Sequence, residues 1–215
     1  EKIVEGEVGQ AIEKEVIEKV SLRPVAWFER GARNLTSNRE VKKPEDLNGL
    51  RLRVPNVPLF VATWESLGAK PTPMPFSEVF PSLQQGIIDG QENPYDLIKS
   101  ASFFEVQKFA TDTGHVYSPF VLLISKIFWD KLPDDMKKVV QSAADLAKVH
   151  NREINRKMNA EYLEKLKEKM DVTILTPEQK AAFQQACQRN YDQFAKDIEE
   201  ELIKEGQELT SEYKK

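Results

Sequence analysis

The feature that most constrains the fold is a helical pattern that runs from Asp134 to about Met170 without a glycine or a proline. Helices of globular domains average about 11 to 12 residues, so a helix of this length extends far beyond the usual range. Such a segment must either connect two lobes or break at a point that carries no helix-breaking residue. The pattern by itself leaves both possibilities open.

Short strands and helices alternate along the rest of the chain, which is typical of an α/β protein. Residues 1–20 carry apolar side chains at spacings of three and four, which predicts an amphipathic helix. Further strands are predicted at 22–28, 50–54, 69–74, 87–90, 110–117, 119–125 and 172–175. Shorter helical segments are predicted at 43–49, 59–67, 78–85 and 94–99.

Turn and cap residues punctuate these elements. Residues 31–38 are polar and rich in turn formers, which predicts a loop. Ser77 is expected to cap the helix 78–85, and Thr176 is expected to cap a final helix that begins at Pro177. Residues 206–215 are highly charged and are expected to form a frayed tail.

Charge and hydropathy exclude two classes of partner. The net charge of -4 argues against nucleic acid, because a phosphate backbone requires a basic protein face. No segment approaches the run of about 18 to 20 apolar residues that spans a bilayer, so no membrane-spanning helix is expected. The sequence also starts as the interior of a helix, without a basic and apolar leader.

Residue types that carry metal or nucleophilic chemistry are sparse. The single cysteine, Cys187, excludes an intramolecular disulfide and a multi-thiolate metal site. His115 and His150 lie on different predicted elements, with no thiol or carboxylate at ligand spacing. Phosphate-binding glycine loops and nucleophile elbows do not occur in the sequence. No metal and no cofactor are therefore expected.

Two carboxylates, Asp89 and Glu92, flank a predicted turn and in principle suit acid/base catalysis. The favoured interpretation is a turn-stabilising Asp89 beside a solvated Glu92. A small α/β enzyme that uses this pair is kept as an alternative hypothesis.

Arg53 is placed where a ligand site is expected. It ends the predicted strand 50–54 on the face opposite to the apolar side chains and precedes a Pro-Asn turn. Ligands of open α/β sheets bind at the carboxyl ends of strands, and a guanidinium binds a carboxylate through two parallel hydrogen bonds. Three more residues lie at predicted element ends or in loops: Asn93 at a helix start, Arg33 in a polar loop and Phe76 before a helix. These patterns alone indicate no more than an α/β binding or catalytic domain.

Several sequence blocks resemble the DctP-type substrate-binding proteins of tripartite ATP-independent periplasmic (TRAP) transporters. The first is the block from Lys43 to Asn56, which contains the Arg-Leu-Arg-Val-Pro-Asn run. The others follow in the same order as in that family: Gly68–Val79, Leu83–Pro94, Phe104–Phe109 with Thr113–His115, and Trp129–Asp135. The resemblance is specific over residues 31–150 and rests on length and helix pattern beyond them.

This resemblance implies an α/β, two-lobed periplasmic binding protein fold (type II-like) with a long lobe-spanning helix. Residues 1–30 and 119–158 are then a partial first lobe with that helix, and residues 31–118 and 159–205 are the second lobe. The resemblance also implies that an export signal and the N-terminal part of the first lobe precede Glu1. The expected compartment is the periplasm of a Gram-negative bacterium.

The resemblance also assigns ligand-binding residues. The family's central arginine, in the strand that ends Arg-Val-Pro, matches Arg53. A supporting arginine in a Gly-x-Arg loop matches Arg33, and the asparagine of the Gln-Glu-Asn-Pro segment matches Asn93. Three further residues match pocket positions of sialic-acid-binding relatives or adjoin them: Asn56, Phe76 and Gln91. A ligand carboxylate and no catalytic residue are implied.

The implied function is capture of a small organic acid and its delivery to a TRAP membrane permease, without catalysis. A sugar acid is the preferred ligand, because the segments 115–119 and 56–60 resemble members of the sugar-acid branch. Sialic acid and a C4-dicarboxylate are the alternatives within the family. The small enzyme and a ligand-sensing domain are the alternatives outside it.

Overall fold

The computed structural model describes residues 2–195, 198 and 200–212. The strands among these residues form a sheet in the order β3-β2-β4-β1-β5-β6. They are β1 (Leu22–Ser37), β2 (Arg51–Val54), β3 (Lys70–Pro73), β4 (Gly90–Asn93), β5 (Phe109–Ser125) and β6 (Asp171–Ile174). The sheet is mixed, because β2 runs parallel to β3 and β4 whereas β4 runs antiparallel to β1.

Helices and short 3₁₀ turns connect the strands. The helices are α1 (Lys2–Glu5), α2 (Glu7–Val20), α3 (Pro58–Ser66), α4 (Val79–Gln84), α5 (Tyr95–Ser100), α6 (Lys126–Lys131), α7 (Asp134–Lys167), α8 (Pro177–Ala186), α9 (Arg189–Phe194) and α10 (Glu200–Glu212). The 3₁₀ turns are Pro44–Leu47, Phe76–Glu78 and Phe103–Glu105. Within this part of the chain, no helix is both long and apolar enough to cross a bilayer.

The chain divides into two compact units. The first contains the described residues of 1–31, 118–157 and 197–215, and the second contains those of 32–117 and 158–196. Helix α7 is unbroken and contributes residues to both units. A break in the long helical pattern is thereby excluded. The assignment of 1–30 with 119–158 to a partial first lobe, and of 31–118 with 159–205 to a second lobe, stays a prediction.

The second unit contains two apolar cores. Buried residues of one are Leu35, Val41, Leu47, Leu50, Leu52, Val54, Trp64, Leu67, Ala69, Leu175 and Phe183. Buried residues of the other are Val79, Leu83, Ile88, Tyr95, Ile98, Phe103, Ala110, Leu166 and Met170. The apolar face predicted for β2 is confirmed, because Leu50, Leu52 and Val54 all lie in the first of these cores. Each such side chain contributes about 1.5–3 kcal/mol by leaving water.

The first unit has a smaller core, formed around Val25, Ala26, Trp129 and Ala144. Polar contacts add to it: Trp27 Nε1 donates to Glu13 at 2.7 Å, and the Glu29 carboxylate pairs with Arg156 at 3.0 Å. Several large apolar side chains of this unit are exposed, among them Ile127, Phe128, Val139, Leu146 and Val149. Apolar burial therefore stabilises this unit less than it stabilises the second one.

The predicted loop at 31–38 is wrong, because all of this segment except Asn38 is the second half of β1. Its residues pair with β4 in the register Asn34 to Asn93 and Ser37 to Gly90. The polar side chains of Asn34, Thr36 and Ser37 are buried and hydrogen-bonded; Asn34 Oδ1, for example, accepts from Gly114 N at 3.0 Å. Tertiary partners thus override local turn preference.

Other element boundaries also differ from the predictions. The predicted strand 87–90 is wrong, since the strand begins at Gly90 and runs to Asn93. The strands predicted at 110–117 and 119–125 form the single strand β5. The helix predicted over 1–20 is divided at Gly6 into α1 and α2.

Helix ends give a mixed result. Ser77 does not cap α4, because a 3₁₀ turn occupies Phe76–Glu78 and α4 begins at Val79 without a side-chain cap. The Thr176 cap is confirmed: its hydroxyl accepts from Gln179 N at 3.3 Å, and Gln179 Oε1 accepts from Thr176 N at 2.8 Å. Residues 206–212, predicted to fray, belong to helix α10, and residues 213–215 lie outside the described residues.

Candidate functional site

Strand pairing in the second unit brings four of the predicted site residues together. Arg53 of β2 is in register with Gln91 of β4, and Asn93 of β4 is in register with Asn34 of β1, next to Arg33. The four side chains come from three adjacent strands, so the sheet fixes their relative positions. Arg33, predicted to lie in a loop, is held by a strand instead.

Arg53 is a buried cation, with only 4% of its surface exposed. Its Nε and Nη2 atoms donate to the carbonyl oxygen of Met74 at 3.0 and 2.8 Å. Burial lowers the pKa of the guanidinium, while the charge of Glu92 raises it and that of Arg33 lowers it. No carboxylate of the described residues lies within the 4.0 Å of an ion pair with Arg53. A buried charge without a counter-ion is energetically costly, so this is an unusual feature.

Arg33, in contrast, is fully engaged with a carboxylate. Its Nε donates to Glu92 Oε2, and its Nη2 donates to Glu92 Oε1 at 2.8 Å and to the Glu92 carbonyl at 2.7 Å. The guanidinium carbon also lies 5.3 Å from the centre of the Phe60 ring. This two-point pairing neutralises Arg33 and holds it rigidly.

Glu92 is the anionic centre of the cluster and is completely buried. Its Oε2 accepts from His115 Nε2 at 3.0 Å, and Thr113 Oγ1 lies 2.7 Å from His115 Nδ1. Burial alone would raise the pKa of the Glu92 carboxyl, but the hydrogen bonds and charges of His115 and Arg33 lower it below its usual value. Glu92 is therefore an ionised acceptor, and in a neutral His115 the proton sits on Nε2.

The interpretation of Glu92 as a solvated turn residue is thus wrong. So is the expectation that His115 has no carboxylate nearby, because the two residues touch across strands that lie far apart in sequence. The edge of the His115 ring also contacts Trp64, with 4.9 Å between the ring centres.

A one-directional chain of buried hydrogen bonds orients the amides of the site. Arg33 Nη2 donates to Asn93 Oδ1 at 3.0 Å, and Asn93 Nδ2 donates to Gln91 Oε1 at 2.6 Å. Gln91 Nε2 donates to the Thr36 hydroxyl at 2.9 Å, which donates to Gln107 Oε1 at 3.1 Å. Each link fixes the orientation of the next group, so Asn93 cannot flip without breaking two bonds.

Phe76 and Asn56 differ in their relation to this cluster. Phe76 lies beside Arg53, with 6.0 Å between its ring centre and the guanidinium carbon, and it packs edge-on against Phe103 at 5.8 Å. It is 42% exposed. Asn56 is exposed beyond the end of β2, and within the described part of the chain it forms no hydrogen bond with the other predicted site residues.

Four residues of the cluster escaped sequence reasoning as parts of a site: Thr36, Gln107, Thr113 and His115. A weak signal was present in β5, where Thr111, Thr113 and His115 stand at every second position and so share one face of the strand. Gln91 and Asn93 show the same spacing in β4. Alternate polar residues within buried strands are the pattern that identifies them.

The cluster suits binding of an anion better than acid/base catalysis. When His115 is neutral, two guanidinium groups and one carboxylate leave one positive charge, which lies on Arg53. A general acid requires a raised pKa. The hydrogen bonds of Arg51 lower the pKa of Asp89, and the contacts of Arg33 and His115 lower that of Glu92. The geometry and charge of this pair therefore oppose the catalytic interpretation.

Asp89 has a structural role instead, which leads to a pH-dependent prediction. Its carboxylate accepts from Arg51 Nη2 at 2.6 Å and Nε at 2.9 Å, and from Asn38 Nδ2 at 3.0 Å. The folded-state pKa is lowered, so the stabilisation is present above the ordinary value of 3.8 and is lost as pH falls through the folded value. Arg51 is half exposed, so water screens the pair and its charge contributes only modestly to stability.

Asp89→Asn is therefore expected to lower the free energy of unfolding by about 1 kcal/mol at neutral pH and by much less at about pH 3. Urea unfolding at both pH values measures this difference. Glu65→Gln is the control, because Glu65 is an exposed acid of the same unit. An equal loss at both pH values would contradict a role for the charge.

A family model matches residues 1–197 of the chain. Its description is bacterial extracellular solute-binding protein, family 7, also called DctP. The matched range includes the second unit, the first unit up to residue 197 and all residues of the cluster.

Curated relatives extend the match to named proteins. A solute-binding protein of Roseobacter denitrificans is 52% identical over 152 residues, which are 71% of this chain and 47% of the relative. The 2,3-diketo-L-gulonate-binding periplasmic protein YiaO of Escherichia coli is 36% identical over 92% of this chain and 60% of the relative. The sialic acid-binding periplasmic protein SiaP of Vibrio cholerae is 33% identical over 94% and 62%. The chain thus spans about half to three fifths of these relatives.

Solved structures of TRAP periplasmic solute binding proteins match the fold. One from Roseobacter denitrificans, with bound L-galactonate, has a TM-score of 0.82 and 44% identity over 94% of this chain and 68% of its own. One from Haemophilus influenzae, with bound L-gulonate, has a TM-score of 0.89 and 33% identity, and the match covers 96% of this chain and 69% of its own. One from Sulfurospirillum deleyianum, with bound succinate, has a TM-score of 0.87 and 36% identity, and the match covers 96% of this chain and 68% of its own.

Proposed function

Because the chain belongs to family 7 of the bacterial extracellular solute-binding proteins, the DctP family, we propose that its protein captures a small organic acid in the periplasm and delivers it to a TRAP membrane permease. The observation that carries this proposal is Arg53, a buried guanidinium without a carboxylate partner among the residues described. A ligand carboxylate supplies the missing counter-charge. No chemical step on the ligand is needed for this role.

The cluster leaves suitable donors for such a carboxylate. The contacts to Met74 use Nε and Nη2 of Arg53, so its Nη1 group is available for an anion. Asn93 uses one amide proton on Gln91 and keeps the other. Arg33 is held by Glu92 through Nε and Nη2, which leaves its Nη1 group. Charge-assisted hydrogen bonds from these groups are about twice as strong as neutral ones.

A sugar acid is the ligand class that we favour. Asn93 keeps one amide N–H for a ligand, and its strand β4 is paired with the strand that carries Arg53, so a hydroxyl of a sugar acid can bind beside the cationic group. Relatives that bind 2,3-diketo-L-gulonate, L-galactonate or L-gulonate support this choice. Sialic acid and succinate, bound by other relatives, are variants of the same function.

Native mass spectrometry of the full-length protein, before and after mild unfolding, tests the proposal. We expect a released mass that matches a sugar acid. The Arg53→Met protein, purified in parallel, is expected to release none. An empty wild-type protein that also fails to respond in thermal-shift assays to sugar acids, sialic acid and dicarboxylates would contradict the proposed function.

A further inference from the structure

We infer that Glu92 sets the charge of the ligand, so that the site selects acids with one carboxylate over acids with two. This inference rests on the proposed function, because it concerns the same ligand and the same cluster. It assigns to Glu92 a role in specificity, without direct contact with the ligand.

Glu92 balances the charge of Arg33, so this arginine does not attract a ligand anion as a free cation. Both carboxylate oxygens of Glu92 accept from Arg33, and its carbonyl accepts a further bond from the same Nη2. The side chain of Glu92 is completely buried and that of Arg33 is 14% exposed, so water does not screen the pair effectively. Arg33 can still donate a hydrogen bond to a ligand, but its charge is already balanced.

The positive charge of Arg53 is the one that remains unbalanced. Arg53 has no carboxylate partner within the described ranges, and burial already disfavours its charged form. One ligand carboxylate balances it. The charged side chains that act on it, Glu92 and Arg33, already balance each other, and the amides of Asn93 and Gln91 on the neighbouring strand β4 are neutral.

A second carboxylate on the ligand finds no counter-charge in this cluster. An ionised group that leaves water without a counter-charge loses its solvation uncompensated, which lowers its affinity for the site. A hydroxyl in the same place requires only hydrogen bonds. The cluster therefore matches a monoacid with neutral polar groups and disfavours the corresponding diacid.

Matched pairs of ligands test this directly, by isothermal titration calorimetry on the full-length protein. The pairs are L-galactonate with galactarate, L-gulonate with D-glucarate, and succinamate with succinate, and each pair differs mainly by one carboxylate. The titrations are done at about pH 8, where histidine side chains are ordinarily neutral. For the wild type we expect the monoacid of a bound pair to have at least about a tenfold lower Kd than the diacid.

Glu92→Gln keeps the shape of the side chain and removes its charge. It frees the charge of Arg33, so we expect the preference for the monoacid to fall by about tenfold or to reverse. The double variant Arg33→Gln with Glu92→Gln is the matched control, because it restores a single positive charge. It should regain the wild-type preference, and it also avoids the unpaired buried Arg33 if the single variant folds poorly.

The outcomes separate this inference from the proposed function. If the wild type binds mono- and diacids of a pair equally, or prefers the diacid, the inference is overturned while carboxylate binding stands. If Glu92→Gln folds and the ratio of the two Kd values is unchanged, the inference is also overturned. Failure of the wild type to bind any of the six compounds counts against the proposed function itself.

Discussion

Arg53→Met is expected to abolish high-affinity ligand binding while leaving the ligand-free protein about as stable as the wild type. The guanidinium is buried and has only the Met74 carbonyl as a hydrogen-bond partner among the described residues. Its replacement by an apolar side chain of similar length removes an uncompensated buried charge, which offsets the hydrogen bonds lost by Met74. A residue with a purely structural role would not behave in this way.

The expected loss of affinity is large. Removing one partner of a desolvated charge pair costs about 2–5 kcal/mol, which corresponds to an increase in Kd of about 30-fold to several thousand-fold. Calorimetric titration with the ligand released from the wild type measures this change. Thermal unfolding of the ligand-free proteins measures the stability. We expect the free energies of unfolding of the wild type and Arg53→Met to differ by less than about 1 kcal/mol.

Arg51→Met is the matched control, because Arg51 lies two positions earlier in the same strand. Its guanidinium pairs with Asp89, so this variant should lose some stability and retain its affinity. The two variants therefore have opposite signatures. Unchanged affinity in Arg53→Met would remove the central residue of the proposed site.

Leu52→Ala is expected to destabilise the protein by about 2–5 kcal/mol, since it creates a cavity at a site that cannot collapse freely. Leu52 is completely buried and lies in β2, which is paired with β3 on one side and β4 on the other. Urea unfolding followed by circular dichroism measures the loss. The position of Arg53, the next residue, depends on the same strand, so ligand affinity should fall as well.

Leu59→Ala provides the same chemical change at a position that is 40% exposed, in helix α3 of the same unit. Its expected cost is below about 1 kcal/mol, because little apolar surface returns to water. Similar losses for Leu52→Ala and Leu59→Ala would show that the sheet between β3 and β4 is not the stabilising core of this unit.

The variants Leu52→Ala and Arg53→Met together separate stability from function in strand β2. Leu52 and Arg53 are adjacent and both buried, yet the first side chain stabilises the fold and the second adds little net stability. Natural proteins violate the rules of stability mainly at functional sites. A buried and unneutralised arginine beside a fully paired one is such a violation.

The sequence by itself determined the local features of this protein. The glycine-free and proline-free segment from Asp134 predicted a helical run, which is the long helix α7, and the Thr-Pro-Glu-Gln run predicted the Thr176 cap and the Pro177 start of α8. The alternation from Leu50 to Val54 predicted a strand with a buried face, which β2 has. These features depend on contacts within a few residues, so local propensity and periodicity are enough to specify them.

The tertiary structure alone decided the chemistry of the cluster. The pairs that define it are separated by 59 residues for Arg33 and Glu92, by 23 for Glu92 and His115, and by 71 for Thr36 and Gln107. Residues 31–38 have the composition of a loop, but the sheet pairs residues 34–37 with β4 and makes residues 31–37 part of a strand. Burial and cross-strand register set hydrogen-bond partners and charge balance, and neither can be read from neighbours in sequence.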